Sequence, residues 1–183
     1  VGTIAGNIAT ASPIGDSLPL LLTLDAKIVV DGKNGKKIIP INDFFIGYRK
    51  TKLKQGDFIY SVKIPIQKQN IFKAYKISKR FDDDISSVCG SFNLEINKNK
   101  IKKAKIAFGG MSEVPKRATK TEKILINSQF SEEIFDKATK NLEKDFSPID
   151  DMRASKKYRI EVAKNLLLKC FLEIKNQKLL RVI

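Results

Sequence analysis

The chain has 183 residues, room for one domain or two small ones, and its 42% hydrophobic content supports a packed core and argues against wholesale disorder. Lysine and arginine number 35 against 20 acidic residues, giving a net charge of +15, with no histidine and two cysteines. This composition excludes an imidazole-based triad, and Cys89 and Cys170 lack the clustering that a zinc or iron–sulfur site requires.

No apolar run approaches the roughly 18 residues that span a bilayer, so no membrane partner is expected. The longest candidate, residues 18–24, is broken by Pro19 and Thr23. The start, Val1-Gly2-Thr3-Ile4-Ala5-Gly6, has neither a Met nor a basic region followed by an apolar one, so a fragment or processed chain without a secretory leader is expected. Two separated cysteines fit a reducing cytoplasm. The positive charge has two readings. Phosphate neutralisation would mean nucleic-acid binding. Lysines scattered along the whole chain, without interleaved aromatics, fit solvated faces instead, so no nucleic-acid partner is expected.

In chain order, Asp16 is placed to cap a helix over residues 17–24, with Pro19 tolerated in its first turn. Ile28-Val29-Val30 and Lys37-Ile38-Ile39-Pro40 flank a Gly/Asn turn and read as a hairpin. Residues 41–48 suggest a short helical turn starting near Asn42 or Asp43. Phe58, Tyr60, Val62 and Ile64 alternate with Ile59, Ser61 and Lys63 in a strand that Pro65 ends. Residues 75–78, 87–95 and 101–108 predict three more strands, the last two joined by Asn97-Lys98-Asn99-Lys100. The period then changes from two to about 3.6 residues. Thr119-Lys120-Thr121-Glu122 fits a capping box opening a short helix to Ile126, Ser131 is expected to cap a helix to about Lys144, and Ser155 the longest helix, about residues 156–176, with Ile160, Ala163, Leu167, Cys170 and Ile174 on one face. The second half is thus an antiparallel sheet followed by three helices, an α+β arrangement, with a boundary near Ile64.

The stretch Gly6-Asn7-Ile8-Ala9-Thr10-Ala11-Ser12-Pro13-Ile14-Gly15-Asp16 can carry chemistry. Glycine lets a backbone approach a ligand, exposed N–H groups attract phosphate oxygens, and Asp16 can accept from a ribose hydroxyl. A tight turn before a helix capped by Asp16 explains the same residues without a ligand.

This stretch, with Leu18-Pro19, resembles the second FAD-contacting segment of the xanthine dehydrogenases. Four further pieces agree in order: Tyr60-Ser61-Val62-Lys63-Ile64-Pro65; Tyr75-Lys76-Ile77-Ser78-Lys79-Arg80-Phe81-Asp82-Asp83-Asp84-Ile85-Ser86; Phe108-Gly109-Gly110-Met111 with Pro115-Lys116-Arg117-Ala118; and Phe146-Ser147-Pro148-Ile149-Asp150-Asp151-Met152-Arg153-Ala154-Ser155 with Tyr158-Arg159, the last as in bacterial small subunits. The resemblance implies the carboxy-terminal part of a flavin-binding α+β domain over residues 1–64, and over 65–183 a small antiparallel sheet with a three-helix layer. It implies FAD as cofactor, NAD as acceptor, and a hetero-oligomer with an iron–sulfur domain and a molybdenum-binding subunit. Thr3, Ile4, Ala5, Gly6 and Asn7 would line the FAD, mostly through backbone N–H groups and the Asn7 amide, with Thr10 close behind. Asp16 would bind toward ribityl or ribose hydroxyls, Ile59 would lie against the isoalloxazine, and Lys76 would reach its polar edge and stabilise the reduced anion. No residue is implied as a proton-transfer catalyst. Asp82-Asp83-Asp84 reads either as the family's loop beside the flavin or as a solvated turn offsetting Lys79 and Arg80. Asp150-Asp151 reads as helix caps or partners of Arg153, and both cysteines as inert core thiols. The family's Gly-Gly-Asn is Ala5-Gly6-Asn7 here, and the phosphate-wrapping loop and stacking aromatic of an earlier subdomain are not in this chain, which alone is expected to bind FAD weakly or not at all.

Overall fold

The computed structural model describes residues 2–66, 70–81 and 84–178. The glycine-bearing start, expected as a turn, is a helix, α1 (Ile4–Thr10). Thr3 is extended and its hydroxyl accepts the Gly6 N–H at 3.0 Å, which closes the first turn. The helix ends at Ala11, in the left-handed region at φ 49°. Helix α2 (Ser17–Thr23) follows, with Pro19 at its third residue, where a missing N–H disturbs nothing. Asp16 does not cap it: its backbone is already helical and its side chain makes no capping bond.

Strands β1 (Lys27–Asp31) and β2 (Lys37–Pro40) form the expected hairpin, whose turn uses Gly35 at φ +75°. A 3-10 turn (Ile41–Asp43) leads into a small hairpin not anticipated from the sequence, β3 (Phe45–Gly47) with β4 (Lys50–Thr51). Strand β5 (Phe58–Lys63) then pairs with the free edge of β1, giving the order β2-β1-β5. The strict alternation expected in β5 is broken. Val29 pairs with Ser61 and Val30 with Ile59, so Tyr60 is extra. The bulge lets Ile59 and Val62 both pack inward and leaves Tyr60 exposed. Ile8, Leu18, Leu22, Ile28, Val30 and Phe44 form the core beneath this sheet.

The second sheet has the order β6-β7-β8-β9, all antiparallel, from β6 (Ile71–Ser78), β7 (Ser86–Asn97), β8 (Lys100–Gly109) and the short β9 (Lys116–Arg117). Its central turn places Lys98 and Asn99 at φ 48° and 58°, the geometry that suits a two-residue hairpin loop. Helices α3 (Thr119–Leu125), α4 (Glu132–Asp145) and α5 (Lys156–Asn176) cover one face. There Phe92, Phe108 and Phe146 pack edge to face at about 5.5 Å.

Strand β7 is buried from Ser86 to Leu94 because both of its faces are covered. Val88, Phe92 and Leu94 face the helix layer. The alternate residues face α2: Ser91 shares a 2.7 Å hydrogen bond with the Thr23 hydroxyl, and the Asn93 amide donates to the Thr23 carbonyl at 2.8 Å. Ala107 of β8, opposite Ser91, completes the first core. One helix of the first half thus docks on the sheet of the second. No helix among the described residues is long and apolar enough to cross a membrane.

The capping box expected at Thr119 does not form. Ala118 holds the cap position, and Glu122 is buried, accepting from the Ile106 N–H and pairing with Arg117 at 2.6 Å. The start of α3 is closed instead by Asp145, from the end of α4, which accepts from the Lys120 N–H, the Thr121 N–H and the Thr121 hydroxyl, each at 2.8 Å. Asp145→Ala leaves three donors unpaired, two of them buried, and is expected to destabilise the fold by about 2–3 kcal/mol. Urea denaturation measures this, and a loss under roughly 0.5 kcal/mol would contradict the capping role.

Candidate flavin cleft

An open cleft of about 500 Å³ lies where α1, the α2 start, the end of β6 and the start of β7 converge. It is lined by Thr3, Ile4, Asn7, Asp16, Lys76 and Ser86, among others. Five of the nine residues singled out from the sequence, Thr3, Ile4, Asn7, Asp16 and Lys76, therefore meet here across a 73-residue separation in the chain.

The polar end of the cleft is organised by one carboxylate. Asp16 Oδ2 lies 3.0 Å from Lys76 Nζ, and Asp16 Oδ1 accepts the Ser86 hydroxyl at 2.5 Å. The Asp16 carbonyl also accepts the Cys89 thiol at 3.7 Å. Ser86 is buried, whereas the Lys76 and Asp16 side chains are 39% and 41% exposed. Such half-exposed pairs contribute about 0–1 kcal/mol, so an incoming ligand can exchange for Asp16 on Lys76 at little cost, while Ser86 keeps the carboxylate in place. Asn7 is oriented by Ser17, whose hydroxyl donates to Asn7 Oδ1 at 2.5 Å, so the Asn7 NH₂ is not engaged in that bond.

The remaining expectations divide. The Gly6 N–H is taken by the Thr3 hydroxyl and the Asn7 N–H by the Thr3 carbonyl, so these two amides serve the helix and are not offered to a ligand. Thr10 Oγ1 donates to the Gly6 carbonyl at 2.8 Å, and neither Thr10, Gly6 nor Ala5 lines the cleft. Ile59 does not line it either: it packs partly buried against the first core. Asp82 and Asp83 lie outside the described residues. Asp84 lines the cleft and bonds Arg80, whose guanidinium, with the Ile85 and Arg80 N–H groups, holds its carboxyl below the usual range. Ile85 and Ser86 end the stretch that resembles the family's loop; no local pattern signals a contact from Ser86 to Asp16, 70 residues away.

Of the Asp150-Asp151 pair, Asp150 caps the start of α5 and Asp151 closes the turn before it. Asp150 accepts the Lys156 N–H at 2.6 Å, and Asp151 accepts the N–H groups of Arg153 and Ala154. The cationic partner of Asp151 is Arg159 at 2.6 Å, not the Arg153 side chain. Arg159 is fully buried and also donates to the carbonyls of Ser87 and Gly110. Partial burial raises the Asp151 carboxyl, but the two N–H groups and Arg159 outweigh it and hold it low.

The cleft can be tested against an FAD. A flavin needs a cation or donor at its polar edge, hydroxyl partners for its ribityl chain, and bare backbone where it passes closely. Lys76 supplies the first and Asn7 and Asp16 the second. At Gly2 nothing lies within 4 Å of where a Cβ would stand, so the backbone there is bare to the cleft. The residues fit one side of such a pocket.

Comparison with known proteins agrees. Residues 1–67 match the model for the FAD binding domain in molybdopterin dehydrogenase, and residues 73–174 match the CO dehydrogenase flavoprotein C-terminal domain. A xanthine dehydrogenase of Blastobotrys adeninivorans is 37% identical over 79% of this chain and 11% of its own length. A nicotinate hydroxylase of Emericella nidulans is 38% identical over 71% of this chain and 10% of its own. The crystal structure of a Cu,Mo-CO dehydrogenase superposes with a TM-score of 0.89 at 24% identity, covering 97% of this chain and 62% of that one, which shows the shared fold. The chain spans about a tenth of the length of these two curated relatives. It belongs to the flavoprotein family of the molybdopterin dehydrogenases, over part of the FAD-binding domain and the C-terminal domain that follows it.

Burial, with Asp16 adding to it, pushes the Cys89 thiol up to about 12, and burial does the same to Cys170. Both should react with iodoacetamide at pH 8 roughly a thousandfold more slowly than a free thiol, and at the free rate once unfolded. The folded thiols are the higher-pKa state, so their contribution to stability is complete below about pH 8.5 and is lost as pH rises toward 12. Fast native labelling of either cysteine, read by mass spectrometry, would contradict the packing described.

Proposed function

We propose that this chain is the flavin-relay part of a xanthine dehydrogenase, with residues 1–64 completing the FAD domain and residues 65–183 forming the domain packed behind it. In the complete enzyme a molybdenum centre on a partner subunit or domain oxidises hypoxanthine or xanthine, and electrons pass through iron–sulfur clusters to this part and on to NAD. FAD, when bound, supplies the two-electron chemistry. The observation that carries the reading is the Lys76–Asp16 pair at the cleft. Lys76 places a positive charge where a reduced, anionic flavin edge would lie, Asp16 holds that charge until the ligand arrives, and Asn7 offers an amide beside it. No residue of the cleft is assigned a proton-transfer role.

Support for the xanthine substrate is the relative at 37% identity together with the Ser12-Pro13-Ile14-Gly15-Asp16 sequence. The nicotinate hydroxylase at 38% identity supports a second reading, the same relay serving another heterocycle. This chain forms no part of the substrate site in either reading. NAD as acceptor, a hetero-oligomer and a cytoplasmic location complete the proposal; the two buried, unpaired thiols suit a reducing compartment.

The test uses the complete enzyme. NAD reduction with xanthine and none with nicotinate supports the first reading, and the reverse supports the second. Lys76→Met removes about 1–2 kcal/mol of stabilisation from the reduced anion, equivalent to a flavin potential about 20–40 mV more negative for a two-electron couple. Substrate oxidation at molybdenum, assayed with an artificial acceptor, should be unchanged. An unmoved flavin potential in spectroelectrochemical titration would refute the role given to Lys76.

A further inference from the structure

A second, larger cleft lies apart from the one lined by Asp16 and Lys76. It has a volume of about 880 Å³ and lies on the other side of the Ser12–Ile14 segment, with Ile14 lining both clefts. Its walls come from the β3–β4 turn, the start of β9, the end of α4 and the loop before α5.

Its charges are unevenly used. Three of its four carboxylates are engaged inside the protein: Glu143 with Lys164, Asp145 with the start of α3, and Asp151 with Arg159. Glu113 and Asp145 have no cationic partner among the described residues, Asp145 being held by neutral donors alone. Among the described residues, the side chains of Arg49, Lys116, Lys144 and Arg153, all lining the cleft, have no carboxylate within salt-bridge distance. Four cations without an acidic partner therefore line the cleft with two carboxylates that lack a cationic one, leaving an excess of positive charge.

A second observation is independent of this count. Arg159 lines the cleft at 2% exposure, and its Nε–H is the one buried side-chain polar atom among the described residues without a hydrogen-bond partner. A buried donor left unpaired carries a standing cost that any acceptor reaching it would remove. The remaining lining is apolar or aromatic: Tyr48 and Ile149 are largely exposed, and Phe146 carries Lys116 Nζ at 5.5 Å from its ring centroid. Arg49 is presented by a turn in which it adopts φ 53°, a left-handed conformation that a non-glycine residue holds only at some cost.

We infer that this cleft binds a nucleotide-sized organic phosphate. Guanidinium and ammonium groups at its rim and floor suit phosphate oxygens, which Arg binds in bidentate fashion. Tyr48 and Ile149, both exposed in the lining, offer apolar surface for the attached ring. A volume of about 880 Å³ lies within the range of small-molecule sites and far exceeds what an inorganic anion fills.

The probe is ADP, titrated calorimetrically into the complete FAD-loaded protein at low salt. Saturable one-to-one binding is expected, weakened at least tenfold in Arg49→Ala/Lys144→Ala, whose exposed positions leave the core intact. Lys76→Met should leave the ADP affinity within twofold. No saturable binding up to millimolar ADP would overturn the inference. So would loss of binding in Lys76→Met, or competition by added FAD, since either would place ADP in the flavin cleft. Pyrophosphate binding as tightly as ADP would overturn the nucleotide assignment, because the apolar wall would then contribute nothing.

Discussion

Both oxygens of the Asp16 carboxylate are committed to the second half of the chain, one to Ser86 and one to Lys76. That single group joins the residue before α2 to two neighbouring strands of the second sheet, and the cleft lies at the join. The thiol of Cys89 reaches the carbonyl of the same residue. A residue that would ordinarily be spent closing a helix is instead shared between anchoring and ligand exchange. The anchor is the buried hydroxyl; the exchangeable partner is the half-exposed lysine.

The same logic explains why β7 is the most buried element. Its alternate residues serve two layers. Apolar side chains at Val88, Phe92 and Leu94 bind the three-helix layer, and Ser91 and Asn93 bond the end of α2 through Thr23. Arg159, from the longest helix, reaches through to the carbonyls of Ser87 and Gly110. A side chain added at Gly110 would collide with the Ser87 carbonyl and crowd Arg159, and the residue sits at φ +80°, so only glycine suits the approach. The strand that carries Ser86 to the cleft is thereby held from both sides.

Much of this was legible in the sequence because it is local. The hairpin at residues 28–40, the long sheet hairpin around Asn97 and the face of α5 follow from periodicity and turn residues, and the structure reproduces them. What was not legible depends on distant partners. Thr119 and Glu122 form a valid capping box in isolation, yet Asp145 and Arg117 outcompete the local bonds. Asp16 precedes a helix as a cap should, but Ser86 and Lys76 claim it. The alternation in β5 holds from Phe58 to Ser61 and fails at Val62, beside the bulge in the pairing with β1. At the cleft, the family resemblance brought into view segments that meet there. It did not reveal that Thr3 caps α1 and so withdraws the Gly6 and Asn7 amides from any ligand.

The most direct test of the account is a crystal structure of the complete protein with FAD bound. The account predicts the isoalloxazine edge within hydrogen-bond distance of Lys76 Nζ, with Asp16 released from the lysine and still held by Ser86. A flavin whose ring lies away from Lys76, with the Lys76–Asp16 pair intact, would contradict it.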